Sequence, residues 1–303
     1  MKVRQTFLSG IILGIIGIVL FSSKAVLIKL AYQYNIDALS MLQLRMLFSF
    51  PFYIVIAYLY RNEEKEDIQR QDYLWLIFFG FVGYYLASYF DFIGLTYIKA
   101  SLERIILFIY PTIVLLFNKW FLKKVITNKQ KLAIIITYVG IIITFASEVS
   151  VSGSETYLGG LFVFLSAVTY AAYLMGSGWL IPKFGVMRFT AYAMIVCSIC
   201  VFVHFSIFSE VDIFSFPWQV YALGLCIAIF ATVIPSFLVS ISIKLISSSN
   251  FAIVAGIGPI STIILAVIFL NESLTTIQII GTVVVILGIL LVSKKKRKKK
   301  RQD

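Results

Sequence analysis

Charged side chains interrupt stretches of this chain that are otherwise apolar, and their types could do acid–base and ion-pairing chemistry. Lys24 and Lys29 lie in the first such stretch, Arg45 in the second, Asp91 in the third, and Glu103 with Arg104 in the fourth. A carboxylate removed from water beside a cation can take up and release a proton, or hold an ammonium group. A buried arginine or lysine can hold a carboxylate. Two readings stay open. In one, Glu103 or Asp91 binds a proton or a ligand's amino group while Lys24 or an arginine engages a carboxylate. In the other, the charges neutralise one another and lock helices together.

Tyrosines and prolines form the second set. Tyr84 and Tyr85 precede Ser88 in the third stretch, and Tyr170 and Tyr173 lie in the sixth. Buried tyrosine hydroxyls want partners, so some should face a cavity. Tyr84 and Tyr85 diverge by about 100° on a helix, so one of the two is expected to face inward. Pro111 and Pro259 each remove a backbone hydrogen bond near mid-helix, as hinges or as fixed kinks. His204, the single histidine, has no acidic neighbour in sequence and reads as structural. Cys197, Cys200 and Cys226 all fall in apolar runs and read as packing residues rather than a disulfide or metal set.

Composition says what solvent these residues meet. Of 303 residues, 60% are hydrophobic and 13% charged, with a mean hydropathy of +0.97. A soluble domain is nearer a quarter charged, so the bilayer is the expected surroundings. Ten apolar segments follow, at about 8–30, 38–60, 73–94, 100–121, 130–147, 159–180, 189–208, 219–241, 248–269 and 276–293. The first resembles a secretory signal but lacks a small-residue cleavage site, and reads as a retained span. At 1.5 Å per residue, Lys24, Arg45, Asp91, Glu103 and Arg104 all fall in the outer third of the membrane.

Lysine and arginine set the sides. Alternate connections carry Arg61, Lys65 and Arg70; Lys119, Lys123, Lys124, Lys129 and Lys131; Lys183 and Arg188; and Lys244. The others carry Asp37, Glu148, Glu155, Glu210, Asp212 and Glu272, with Lys99 the exception. Both termini are therefore expected in the cytoplasm. Eight of the 26 basic residues lie in the tail at 294–303, a topology anchor or a contact for anionic lipid headgroups. The net charge of +12 is thus accounted for without a nucleic-acid groove.

A shift of 148 residues superposes the fourth and fifth segments on the ninth and tenth. Pro111 meets Pro259, Phe121-Leu122 meets Phe269-Leu270, Thr127 meets Thr275, Gln130 meets Gln278 and Gly140 meets Gly288. Five segments per copy, an odd number, turn the second copy upside down. Lys123-Lys124 aligned with Asn271-Glu272 agree with that, because the two positions face opposite compartments. Inverted repeats are a recurring transporter architecture. The expected fold is an all-α integral membrane protein of ten transmembrane helices in two inverted five-helix repeats. Its parts are 1–150, 151–293 and the polybasic tail 294–303.

The stretch Gly94-Leu-Thr-Tyr-Ile-Lys-Ala-Ser-Leu-Glu-Arg-Ile-Ile-Leu-Phe-Ile-Tyr-Pro111-Thr resembles the EamA-type permeases of the drug/metabolite transporter superfamily. So does Ser247-Ser-Ser-Asn-Phe-Ala-Ile-Val-Ala-Gly-Ile-Gly-Pro259, continued through Phe269-Leu-Asn-Glu272 to Gly281 and Gly288. That family's motif usually ends on an acidic residue; the first copy departs with Lys124. The resemblance implies export or exchange of small metabolites, amino acids or drug-like compounds across a bacterial cytoplasmic membrane, by a monomer or homodimer without a cofactor. A facilitated, non-proton-coupled exchanger is the alternative. An integral membrane enzyme is the alternative outside transport, although no metal-spaced ligands, histidine pairs, serine elbow or phosphate-binding loop are found.

Overall fold

The computed structural model of the protein describes residues 2–61, 68–123 and 126–293. The tail 294–303 lies outside them, as do Lys65 and Lys124, and the side chains of Lys129 and Glu148 are likewise not described. All regular structure among the described residues is helical: α1 (Lys2–Tyr32), α2 (Ala38–Leu59), α3 (Arg70–Gly80), a π-helical segment (Phe81–Leu86), α4 (Ala87–Tyr97), α5 (Ala100–Leu107), α6 (Tyr110–Leu122) and α7 (Asn128–Ser152). Then follow α8 (Glu155–Phe184), α9 (Val186–Phe208), α10 (Trp218–Ala228), a second π-helical segment (Ile229–Val233), α11 (Ile234–Ile246), α12 (Ser248–Val254), α13 (Ile257–Leu270) and α14 (Thr276–Ser293). Helix covers each of the apolar segments read from the sequence.

Among the described residues, seven helical stretches are long and apolar enough to cross a membrane: Thr6–Tyr32, Ala38–Leu59, Arg70–Tyr97, Ala100–Phe121, Glu155–Phe184, Val186–Phe208 and Trp218–Ile246. Ile134–Ser147, Ile257–Leu270 and Thr276–Gly288 are shorter apolar helices. The chain is therefore a multi-pass membrane protein. Its exposed surface fits that setting, with Leu59, Phe121, Ile142, Phe208 and Ile268 all turned outward where lipid tails would meet them.

Three backbone features recur at or near the 148-residue spacing. The π-helical segments start at Phe81 and at Ile229. Lys123 and Asn271 both end their helices in the left-handed conformation at φ 52°, with the cap N–H bonded to Asn118 O and to Ala266 O. Helix breaks fall at 108–109 and at 255–256, just ahead of the two prolines. Pro111 and Pro259 thus sit in the first turn of α6 and α13 rather than in the middle of continuous helices. There the missing N–H leaves no intrahelical bond unmade, because the first-turn donors have no partner in any case. Neither residue kinks a helix; each begins one.

Packing follows the same exchange. Helix α1 lies against α11 and α13, while α8 lies against α4 and α6; α2 pairs with α9, and α7 with α14. Small residues let these backbones approach. Ser242 Oγ bonds Gly10 O at 2.8 Å between α11 and α1, where Gly10 and Gly14 leave room for the approach of α11. A Cβ on Gly140 would stand 2.7 Å from both Gly281 O and Val285 N, main-chain atoms that no rotamer change can move. Gly140→Ala should therefore cost about 1–3 kcal/mol and lower the melting temperature of the purified protein. An unchanged melting curve would remove the α7–α14 seam from the account.

Candidate substrate site

The third apolar stretch is α3, the π-helical segment and α4 run together. An extra residue in a helical turn rotates everything after it, and such bulges gather at functional sites. Gly83, inside the bulge, is what lets α8 come close: any side chain there would overlap Tyr173. Tyr84 then faces inward, its ring centroid 4.4 Å from that of Tyr173. Tyr85 turns the other way and bonds His204 Nδ1 at 2.9 Å, with the imidazole edge-on to Tyr89. Of the two tyrosines, Tyr84 alone reaches the interior. His204 belongs to this half-exposed aromatic cluster and to no acid.

A cavity of about 30 Å³ lies where α1, the π-helical segment, α4, the α5–α6 break and α8 converge. Lys24, Tyr84, Ser88, Arg104 and Tyr170 line it, all of them expected from sequence. Ile18, Phe21, Gly83, Ala87, Leu107, Tyr110 and Ser166 complete the wall and were not. Leu107 and Tyr110 flank the interrupted backbone, so the irregular main chain faces a cavity rather than lipid. Rings form one side: Phe21 stacks on Tyr170 at 6.3 Å and Tyr110 meets Tyr170 edge-on at 5.2 Å. Space for about one water molecule is too little for a metabolite, so this conformation is occluded at its centre.

Four of the five charges expected in the outer third come together. Lys24 Nζ stands 2.5 Å from Asp91 Oδ2, both side chains fully enclosed. Arg104 Nε is 3.7 Å from Glu103 Oε2, and an Nη of Arg104 donates to Phe21 O at 3.3 Å. Asp91 and Glu103 are electrostatic neighbours in this cluster, and Lys24 feels both. Arg45 is the departure. No carboxylate lies within ion-pairing distance of it among the described residues; its Nε donates to Thr232 Oγ1 at 2.8 Å and an Nη to Ser88 Oγ at 3.0 Å. Thr232 sits in the second π-helical segment and Ser88 just past the first, so a buried guanidinium ties the two bulges together. Tyr173 packs behind Tyr84 and Tyr170 without lining the cavity.

Glu272 is the residue whose position the sequence did not disclose. Its carboxylate reaches across to the start of α5, accepting Ala100 N–H at 2.8 Å, Ser101 N–H at 3.1 Å and Ser101 Oγ–H at 2.6 Å. Those main-chain donors have no intrahelical partner, and the helix dipole favours an anion there. Nearby, Lys29 Nζ bonds Leu95 O at 3.0 Å and Tyr32 OH bonds Phe92 O at 2.7 Å, closing α1 onto the end of α4. At the opposite end of α1, an open cleft of about 720 Å³ separates Phe7 from Gly178, Lys244 and Asn250. The first end is closed across α1, α4 and α5; the second holds this cleft beside an ion pair of Lys183 Nζ with Asp72 Oδ1 at 2.7 Å that joins α8 to α3.

Comparison with known proteins places this architecture. The chain matches the EamA-like transporter family over residues 8–146 and again over 157–294. It is 31% identical over 284 residues to the uncharacterized transporter YcbK of Bacillus subtilis (strain 168), covering 92% of this chain and 91% of that protein. A second uncharacterized transporter of that organism, YyaM, is 24% identical over 241 residues, 78% of either chain. A solved crystal structure shares the fold with a TM-score of 0.68 at 15% identity, covering 94% of this chain and 96% of that one. Two family matches spanning nearly the whole chain, on a helical bundle with a polar centre, make this protein a member of the EamA-like transporter family.

Proposed function

We propose that the protein is a secondary transporter that exports or exchanges small metabolites, amino acids or drug-like compounds across the cytoplasmic membrane by alternating access. Its ten helices form two inverted five-helix repeats, 1–150 and 151–293, with both termini cytoplasmic. Support comes from the exchanged packing of the halves and the recurrence of π-helical segments, breaks and left-handed caps at or near one spacing. In such transporters substrate binds where broken helices from the repeats meet.

The observation that carries the site assignment is the enclosed cluster of Lys24, Asp91, Glu103 and Arg104 against the central cavity. Two neighbouring carboxylates cannot both hold a charge without repulsion, so the pair is suited to one negative charge and one shared proton. Lys24 and Arg104 then exceed the negative charge by one, which draws a carboxylate-bearing cargo. Tyr84, Tyr110, Tyr170 and Ser88 offer hydroxyls, and the Phe21 and Tyr170 rings offer an apolar wall. Arg45 holds Ser88 and Thr232 in place. The breaks ahead of Pro111 and Pro259 serve as hinges, since the turn between two helical segments is where they can re-angle.

Reconstitution into liposomes tests this reading. Flux of a panel of labelled amino acids and metabolites is followed with and without an imposed pH gradient, for wild type and Glu103→Gln. Accumulation that follows the gradient and drops at least about tenfold in the mutant is expected, in line with the loss of a group that carries the coupled proton. Exchange that ignores the gradient and survives Glu103→Gln would make the protein a facilitator and the cluster a structural lock.

A further inference from the structure

Between the end of α6 and the start of α7 lies a groove of about 620 Å³ that the proposed transport cycle does not use. That volume falls within the range of small-molecule sites. Its wall is aliphatic, with Leu116, Ile134 and Ile135, and three cations line it: Lys119, Lys123 and Lys131. Among the described residues, no carboxylate lines it. All three lysines are exposed, and Trp120 beside them is 63% exposed, an aromatic at the depth where membrane meets water.

The local backbone does not ask for these lysines, whose shared sign orients this connection. Lys123 adopts the left-handed conformation at φ 52°, which favours glycine or asparagine and disfavours a residue with a long side chain. Asn271 occupies the matching place in the second half with the same backbone. The positions matching Lys119 and Lys131 there are Val267 and Ile279. The matching helix end of the second half, expected to face the opposite compartment, carries no cation at these positions, so the groove's charge belongs to one half alone. A ligand with an anionic head and an apolar tail complements such a groove.

We propose that this groove binds one anionic phospholipid, its phosphodiester headgroup against Lys119, Lys123 and Lys131 and an acyl chain along the aliphatic wall. The charge asymmetry of the connections assigns the groove to the cytoplasmic leaflet, where basic pockets between helices hold such headgroups. The site stands apart from the transport reading, and its test involves no flux.

The full chain is purified in detergent with equal amounts of phosphatidylglycerol and phosphatidylcholine of matched acyl chains, and retained lipid is counted by native mass spectrometry. Wild type should retain the anionic lipid at least about tenfold over the zwitterionic one, since one lysine near an anionic headgroup contributes roughly fivefold. Changing Lys119, Lys123 and Lys131 together to Gln should bring the ratio near parity, and changing them to Arg should keep it. Changing Lys294, Lys295 and Lys296 to Gln removes equal charge from the tail and should leave the ratio unchanged. Retention that survives the groove triple, or that is lost equally with the tail triple, overturns the site. Displacement by excess inorganic phosphate overturns its lipid character and makes it a site for soluble anions.

Discussion

Lys24→Met should leave a protein that barely folds, whereas Lys24→Met combined with Asp91→Leu should fold and fail to transport. The ion pair at 2.5 Å is fully enclosed, so removing one partner strands the other charge away from water. That costs about 3–5 kcal/mol, while replacing both partners by apolar groups of similar volume is near neutral. Such a loss takes up a large share of a typical protein's stability margin. Yield and melting temperature in detergent should therefore collapse for the single variant and return close to wild type for the double. Flux in liposomes then separates the roles. A stable double variant that still transports at the wild-type rate would reduce the pair to a helix lock and take Lys24 and Asp91 out of the binding site.

Glu272→Gln is expected to loosen the closed end. The carboxylate accepts three hydrogen bonds at the start of α5, two of them from main-chain donors that the helix leaves free. Hydrogen bonds to a charged group contribute about 1.5–3 kcal/mol each, and an amide keeps only part of that contact. Losing even one such contribution shifts an open–closed equilibrium by roughly tenfold or more. The readout is labelling of a cysteine placed at Ile98, buried next to this contact, by a membrane-impermeant maleimide. With Cys197, Cys200 and Cys226 changed to serine, labelling from outside should accelerate about tenfold in Glu272→Gln. Equal rates in the two backgrounds would mean that this contact does not hold the outer end shut.

The arrangement also accounts for the asymmetry of the motif ends. Glu272 closes the second copy's motif and caps a helix of the first half, a link between halves rather than within one. The first copy has Lys124 at the matching position, a cation that has no use for free N–H donors. At the other end of the bundle lies the open cleft beside Lys244 and Asn250. A closed end, a central cavity of about 30 Å³ and a cleft at the other end are compatible with an occluded step of the proposed cycle.

Much of this was legible along the chain because it is local. Runs of about 20 apolar residues announce helices, for no other element satisfies its backbone in lipid. The 100° turn between Tyr84 and Tyr85 said that one of them faces inward. The repeat spacing showed in identities such as Pro111 with Pro259 and Gln130 with Gln278. It reappears in the backbone as paired bulges and caps at Lys123 and Asn271. The prolines illustrate the limit. Sequence marks where a helix cannot continue, but whether a proline bends a helix or opens a new one depends on the chain just before it.

The partners of the charges were beyond reach of any such reading. Depth along a helix comes from residue count, so five charges could be placed in one layer from the sequence. Their azimuth relative to other helices comes from packing, and the two π-helical segments, each an unannounced rotation, reset it midway. Hence Lys24 meets Asp91 67 residues away, Arg45 turns from the acids to Thr232 and Ser88, and Glu272 crosses to Ser101. Hydropathy and spacing, which act residue by residue, determined that this chain is a helical membrane protein with a repeated half. Which side chains share a cavity was decided only when helix faces met, because small residues such as Gly83, Gly140 and Gly281 let particular backbones touch and so select the neighbours.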